Sequence, residues 1–458
     1  MTLARAGSRR ALLIAATIGS LIYAAGVVFA GTLLSGNMIV GISARILGLL
    51  ILLFVTAQKR TLTAWTFFAI LAGAELGADA PAIAVHLHVL AEIFLRLVRV
   101  IVAPLILGTL TTGIAAHGQL RSLGRVAVKT LLYFEIITTL ALLLGVVAID
   151  ISRAGEGVVV PTAVAAQQLQ STVPQHTGFE SFLLSVFPEN LVTAIAENQI
   201  LQVAVFSILF GIALALLTEE KRAPLLSVLE SLTAAMFQLT RIIMYMAPLA
   251  AGAALSYTVG SMGIATLLPL AKLVATFYAA ALALVVLVFI PVMLMMRISV
   301  RGFFKAVSEP AAIGFATSTS QSALPLAMER MEEFGVPRWV VSFVIPSGYS
   351  FNMDGASLYL SIASIFAAQV AGIPLTLWQQ AVMVLTLMLT SKGIAGVPRA
   401  TLMILLATAG QFHLPSAPIL MILGVDALID MGRTVLNVTG NCLAAAVVGK
   451  WETPASHP

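Results

Sequence analysis

Apolar residues fall into long blocks along the chain, and the polar residues between them are distributed differently in the two halves. In the first half the runs are nearly uninterrupted: Ala11 to Leu34, Ile42 to Val55, Trp65 to Leu76, His88 to Gly113, Val126 to Ile149, Phe182 to Leu217, Leu225 to Tyr257 and Ile264 to Met296. About 20 consecutive apolar residues cross the hydrocarbon of a bilayer as a helix, so this half predicts a set of membrane helices. Pro248 is expected to kink or end the Leu225–Tyr257 pattern, and Ile264 to Met296 is long enough to cross with tilt. Glu92, Arg96 and Arg99 recur at helical spacing in the His88–Gly113 run, with Pro104 further along. Such charges suit a helix whose end meets the interface or an adjacent subunit. Residues 151–177 are Gln-containing and aperiodic and read as an extended loop outside the membrane.

Beyond Arg301 the runs are broken. Ala316-Thr-Ser-Thr-Ser-Gln-Ser322-Ala-Leu-Pro325 puts six hydroxyl or amide side chains in a row, Pro346-Ser-Gly348-Tyr-Ser350-Phe-Asn352-Met-Asp354-Gly355 interrupts the next span, and Ser391-Lys-Gly393-Ile-Ala-Gly396-Val-Pro398-Arg399 the one after. Broken helices leave backbone N–H and C=O groups free, which is tolerable at membrane depth only around a cavity. Unwound carbonyls suit cations and half-helix N-termini suit carboxylates. The loops at 316–325 and 391–399, each followed by a helix with an interior Asp, look like two copies of one unit.

The last apolar block carries a polar stripe. At about 100° per residue, Asp426, Asp430, Arg433, Asn437 and Asn441 share an arc of roughly 80°, with Thr434 at its edge. A charge at the bilayer centre costs on the order of 3 kcal/mol, so this stripe faces a protein interior or a wet cavity. An Asp–Arg pair locking two helices is the simpler explanation, but five polar groups exceed what a lock needs; the stripe reads as a binding site. Glu135, with Thr138 and Thr139 in the Val126–Ile149 run, is a candidate proton carrier or else a hydrogen-bonded or snorkelling glutamate.

Composition narrows the class. The 458 residues are 60% hydrophobic and only 10% charged, with a mean hydropathy of +1.03; soluble domains are about 25% charged, so this is a polytopic membrane protein. The net charge of +5 forms no basic patch interleaved with aromatics, which argues against a nucleic-acid partner. One cysteine, Cys442, excludes an internal disulfide framework. The six histidines lack metal-ligand spacing apart from His86-Leu-His88, so no metal cluster is expected. Ser8-Arg9-Arg10 before Ala-Leu-Leu has the form of a secretory or twin-arginine signal. However, Arg5, Arg9 and Arg10 before the first two apolar runs and Lys59 and Arg60 after them favour a retained hairpin with both ends in the cytoplasm.

Four motifs in order carry a resemblance: the Ser-rich 317–322 with Ala-Leu-Pro325, Asn352-Met-Asp354-Gly355, Gly393-Ile-Ala-Gly396-Val-Pro398, and Asp426…Asp430-Met-Gly-Arg433-Thr434…Asn437. From about Arg60 to Glu452 the chain resembles the dicarboxylate/amino acid:cation symporters, the glutamate-transporter fold. The resemblance implies an all-α polytopic protein with inverted repeats, broken helices and two re-entrant hairpins near 303–333 and 376–410. It implies a homotrimer in which a transport domain moves against a scaffold as an elevator. The organisation expected is an extra transmembrane hairpin over 1–58, scaffold and peripheral helices over 59–300, a core transport domain over 301–452 and a tail at 453–458. The expected location is the inner cell membrane with both termini cytoplasmic.

By the same resemblance Arg433 holds the substrate's side-chain carboxylate as a bidentate fork, Asp430 takes the α-ammonium, and Asn437 and Thr434 take the α-carboxylate region. Backbone groups around Ser320, Gly396 and Val397 close over the ligand. Gly348, Ser350, Asn352, Asp354, Ser391, Asn437 and Asn441 fall on cation-binding positions. One fixed cation, one fixed anion and amide donors complement an acidic amino acid independently of any family. Relatives carrying C4-dicarboxylates tend to lack an acid at the position of Asp430, and neutral amino-acid carriers tend to lack the arginine. Departures concern the ion. Asn441 replaces an aspartate of the sodium-coupled pattern, which removes a negative ligand, and Glu135 falls where a tyrosine followed by hydroxyls supports a sodium site. Ala356 replaces a threonine. Ser318 and Met431 stand where other relatives carry an extra arginine, a charge that Arg399 is placed to supply. These departures favour protons over sodium as the co-transported ion; no cofactor is implied.

The reading is therefore an acidic amino-acid symporter in the lipid bilayer, with a C4-dicarboxylate carrier as the alternative. An aspartyl hydrolase using Asp354 and Asp430 is disfavoured, because Arg433 three residues from Asp430 holds that acid ionised and no Gly-x-Gly-Asp string occurs. A passive channel is disfavoured because an Asp/Arg stripe binds a zwitterion rather than conducting it.

Overall fold

The computed structural model describes residues 12, 15–25, 38–115, 120–158, 184, 187–197, 199–390, 401–402, 404–406, 412 and 414–452. These residues are helical, with no strand among them. In chain order the principal helices are α1 (Ala15–Ala25), then α2 (Met38–Lys59), α3 (Leu62–Asp79), α4 (His88–Ala115), α5 (Leu120–Ser152), α6 (Ile200–Leu216), α7 (Glu219–Met244) and α8 (Ala247–Met262). They continue with α9 (Leu267–Leu284), a π-helical turn (Val285–Phe289), α10 (Ile290–Met295), α11 (Val300–Thr317), α12 (Ser320–Glu333), α13 (Arg338–Phe351), α14 (Asp354–Val370), α15 (Leu377–Thr390) and α16 (Ser416–Glu452). Six helical stretches among the described residues are long and apolar enough to cross a membrane, by length and composition. Of the expected features, the loop beyond residue 158, the tip of the second hairpin at 391–400 and the tail at 453–458 lie outside the described residues.

The chain divides into two compact units, residues 1–91 with 245–264, and 92–244 with 265–458. The first is built on glycine contacts. Gly73 and Gly77 of α3 face Gly252, Ser256 and Gly260 of α8, each set spaced by four. A methyl group built on Gly252 would lie 2.6 Å from the Ala69 carbonyl oxygen, and one on Gly77 would lie 2.7 Å from that of Ser256. Backbones in lipid associate through such small-residue stripes because close van der Waals approach replaces the hydrophobic drive. Against this pair, α1 and α2 cross at Gly19 and Gly48; a methyl on Gly48 would meet Tyr23 Cβ at 2.8 Å. The Tyr23 hydroxyl donates to Glu75 Oε2 at 3.0 Å. Arg45 pairs with Glu75 at 2.6 Å and with Asp79 at 3.4 Å, so charges on the apolar hairpin and on α3 neutralise one another.

In the second unit α5 and α14 pack backbone to backbone, since a methyl on Gly145 would lie 2.7 Å from the Leu358 carbonyl oxygen. At their far end Gln369 accepts from the Gly155 N–H at 3.0 Å. Nearly every residue of α14 is buried. Pro346 and Gly348 do not end α13; the helix runs through both to Phe351. The interruption falls instead at Asn352 (φ −122°, ψ 77°) and Met353 (φ −106°, ψ 65°), where side-chain hydrogen bonds substitute for the helical ladder. The first expected hairpin is present as α11 and α12, which join at Ser318, a residue in the left-handed region with φ 52°. There the Thr317 and Ser322 hydroxyls share a hydrogen bond of 2.6 Å. The Leu225–Tyr257 run is split after Met244, just before Pro248, as proline at the first turn of α8 requires.

Substituting Gly252→Val forces overpacking of the α3–α8 crossing, which costs about 2 kcal/mol. A clear fall in the detergent melting temperature is expected, and an unchanged value refutes the close-contact account.

Candidate functional site

The polar stripe of α16 is buried along its whole length. Asp426 is 0% exposed, and Asp430, Arg433, Thr434, Asn437 and Asn441 are 5% or less. Thirty-seven residues in a single helix keep these groups on one face, and α11, α12, α13 and α14 pack around it.

Two clusters form on this face. In the first, Arg433 Nη2 pairs with Asp430 one turn earlier, and Nη1 stands 4.0 Å from Asp426 Oδ1. Tyr359 of α14 lays its ring beside the guanidinium, 5.0 Å from Cζ to the ring centroid, and donates its hydroxyl to Asp426 Oδ1 at 2.8 Å. Phe277 of α9 meets Tyr359 edge-on at 6.3 Å. Its neighbour Tyr278 donates to the Leu428 carbonyl at 2.7 Å. Gly432 permits this approach, as a methyl there would lie 2.7 Å from the Tyr278 ring. Thr434 donates its hydroxyl to the Asp430 carbonyl at 2.8 Å, leaving its methyl against Gly314 of α11.

The second cluster stitches α16 to the helix break. Asn437 Oδ1 accepts from the N–H groups of Gly355 at 2.9 Å and Ala356 at 3.3 Å. It thus caps α14 from another helix and satisfies N–H groups that otherwise lack an intrahelical acceptor. Asn352 Nδ2 donates to Asn441 Oδ1 at 3.0 Å and to Asp354 Oδ2 at 3.2 Å. Gly348 and Gly440 make the approach possible, since a methyl on the former would collide with the Asn441 amide and on the latter with Asp354 Oδ2. Gly355 likewise lies against the Arg433 carbonyl.

The remaining positions singled out in the sequence are placed as follows. Ser320 is buried at the start of α12. Of Ser350 the backbone alone is described, as part of α13, and Ser391, Gly396, Val397 and Arg399 lie outside the described residues. Glu135 is half-buried, at the border of the inward face of α5 defined by Phe134, Thr138, Ala141 and Leu142. Its carbonyl accepts from Thr139, which also contacts Met388 Sδ of α15 at 3.3 Å. Ala356 is buried, and Met431 half-buried. Tyr359 and Tyr133 escaped the sequence reading. Tyr133 is 5% exposed, and its hydroxyl has no hydrogen-bond partner among the described residues. No group of three or more His, Cys, Asp or Glu side chains forms a metal cluster among the described residues.

A membrane-spanning helical bundle with an ion-paired centre beside a broken helix is the architecture of a secondary transporter's substrate centre. The chain belongs to the sodium:dicarboxylate symporter family, which it matches over residues 62–451. It is 41% identical over 367 residues to a proton/glutamate-aspartate symporter of Escherichia coli, covering 79% of this chain and 84% of that one. It is 38% identical to a proton/sodium-glutamate symport protein of Geobacillus stearothermophilus (85% and 94%), and 39% identical to a C4-dicarboxylate transport protein of Anaeromyxobacter (86% and 90%). The family inferred from the four motifs is the family found, and the chain is a multi-pass membrane symporter.

Asn437→Ala removes the cap on α14 and leaves two buried N–H groups without their acceptor. A destabilisation of about 1–2 kcal/mol is expected, read as a lower unfolding midpoint in detergent; an unaltered midpoint contradicts the capping role.

Proposed function

We propose that the chain carries glutamate or aspartate into the cell together with protons or sodium. The observation that carries this reading is the buried Asp430–Arg433 pair beside the capped break of α14. A substrate carboxylate takes over the guanidinium of Arg433 as a planar, two-pronged partner. Asp430 then loses its ion pair with Arg433, and the substrate's α-ammonium replaces the guanidinium. The exchange keeps Arg433 and Asp430 each opposite a charge of the other sign.

A C4-dicarboxylate supplies the carboxylate but no ammonium, and leaving Asp430 buried without a cation costs roughly 3–5 kcal/mol. That is the physical ground for preferring an amino acid. The dicarboxylate alternative rests on the name of the Anaeromyxobacter relative, whose identity of 39% is close to that of the glutamate carriers.

In this reading Asn437 and Thr434 serve the α-carboxylate end, and backbone around Ser320, Gly396 and Val397 covers the ligand. Gly348, Ser350, Asn352, Asp354, Ser391, Asn437 and Asn441 are the cation positions, Glu135 is a proton carrier on α5, and Arg399 supplies added positive charge. The protein works as a homotrimer in the inner membrane with cytoplasmic termini. Residues 301–452 move as the transport domain past a scaffold drawn from 59–300, and 1–58 form an added hairpin.

Uptake of labelled glutamate, aspartate and succinate into proteoliposomes, under separately imposed proton and sodium gradients, tests the reading. Gradient-driven accumulation of glutamate or aspartate is expected; uptake of succinate alone overturns it in favour of the dicarboxylate carrier. Arg433→Ala is expected to reduce acidic amino-acid uptake about 100-fold or more, the loss of two charge-assisted hydrogen bonds, and retained high-affinity uptake would sink the role given to the arginine. Glu135→Gln is expected to abolish proton-driven accumulation while counterflow exchange persists; undiminished accumulation removes Glu135 from the proton path.

A further inference from the structure

Asp426 has no task in the scheme above. It shares the stripe with Asp430 and Arg433, is fully buried, and is engaged on one side only. Oδ1 receives the Tyr359 hydroxyl at 2.8 Å and faces Arg433 Nη1 at 4.0 Å, while Oδ2 has no hydrogen-bond partner among the described residues. A buried carboxylate with one bare oxygen is poorly solvated as an anion, whereas a proton on that oxygen makes it a neutral acid.

Charge counting points the same way. Two carboxylates and one guanidinium leave the centre one negative charge in excess when all are ionised, and an acidic amino acid adds another. Once its carboxylate claims Arg433, Asp426 shares its nearest cation with a second anion. Proton binding at Asp426 relieves that excess, so proton and substrate strengthen each other's binding, and by linkage the effect is reciprocal. We infer that Asp426 binds a co-transported proton within the substrate centre itself. The proton passes from the aqueous side to Oδ2, no bond in the substrate changes, and Tyr359 remains donor to Oδ1. This rests on the acidic amino-acid reading of the same site.

The titratable groups around Asp426 are few. On its own helix they are Asp430 and Arg433; from α14 comes Tyr359, and from α9 Tyr278, whose hydroxyl is committed to the Leu428 carbonyl. On α11 and α12 Lys305 is exposed, and Arg330 is paired with Glu309 and Glu333. On α13 Arg338 is paired with Glu332. On α5 Lys129 is bound to Glu452 at the opposite end of α16, and Asp150 accepts from Gln380. Asp354 is bonded to Asn352, and Glu135 lies on the α15 side of α5.

The test is labelled-glutamate binding to the full-length detergent-solubilised protein from pH 5 to 9 at fixed sodium. Wild-type affinity is expected to fall as pH rises, approaching tenfold per unit where one proton is linked. Asp426→Asn, which fixes the neutral form, is expected to bind with near wild-type low-pH affinity and to lose the tenfold-per-unit slope that one linked proton contributes, keeping only any slope that Glu135 supplies. Tyr359→Phe withdraws a hydrogen bond from the anion and is expected to move the wild-type curve to higher pH, a shift that loss of packing alone does not produce. A full wild-type slope in Asp426→Asn, a flat wild-type curve, or an unmoved Tyr359→Phe curve each overturns the inference while leaving glutamate transport intact. Absence of binding of both labelled glutamate and labelled aspartate to the wild type at every pH overturns the functional reading and this inference together.

Discussion

The site depends on one constraint: the positive charge of Arg433 is buried to 3% exposure in a helix that the rest of the bundle encloses. A buried cation of this kind persists only with partners in good geometry. Asp430 on its own helix pairs with Nη2, the Tyr359 ring from α14 lies beside the guanidinium, and Asp426 faces Nη1 at 4.0 Å without a hydrogen bond. Those partners dictate neighbours in turn. Tyr359 is held by Phe277, α16 is brought against α9 by the absence of a side chain at Gly432, and the hydroxyl of Tyr278 is bonded to the carbonyl one turn before it.

The break between α13 and α14 obeys a second requirement, that no backbone N–H stay bare away from water. Asn437 answers it from α16, and Asn352 and Asn441 lock the flanking turn to the same helix. Residues proposed for the substrate and residues proposed for the cation therefore belong to a single hydrogen-bonded body. Arg433 and the Asn352–Asp354 turn are thus joined through α16 and its hydrogen bonds to Asn352, Gly355 and Ala356 rather than across a gap.

Much of this was readable from residues alone, for identifiable reasons. The stripe was legible because 3.6-residue periodicity needs no partner to define a face, and the interruption at 317–322 because six polar residues in a row break an apolar segment; that this interruption is the tip of a hairpin came from the family resemblance. The site of the break was less so: Pro346 and Gly348 are the stronger breakers by propensity, yet α13 passes through both and yields at Asn352. The reason is tertiary, since Asn441 and Asp354 supply the hydrogen bonds there and Gly348 is needed instead for close approach to Asn441. Tyr359 was invisible because a tyrosine in an apolar helix carries no periodic signal; only the packing of α14 against the stripe reveals that its hydroxyl meets Asp426. Asp426 was seen as part of the stripe, but its one-sided solvation depends on atoms from α14.

The network of Tyr23, Arg45, Glu75 and Asp79 bears on how the chain can be shortened. The family match begins at residue 62, which makes that point the obvious place to trim. The cut would remove Arg45 and Tyr23 and leave Glu75 and Asp79 of α3 without the counter-charge of Arg45. A trimmed protein that fails to assemble would then report orphaned acids rather than a missing activity, and neutralising Glu75 and Asp79 in the same step is what makes the shorter chain a fair comparison.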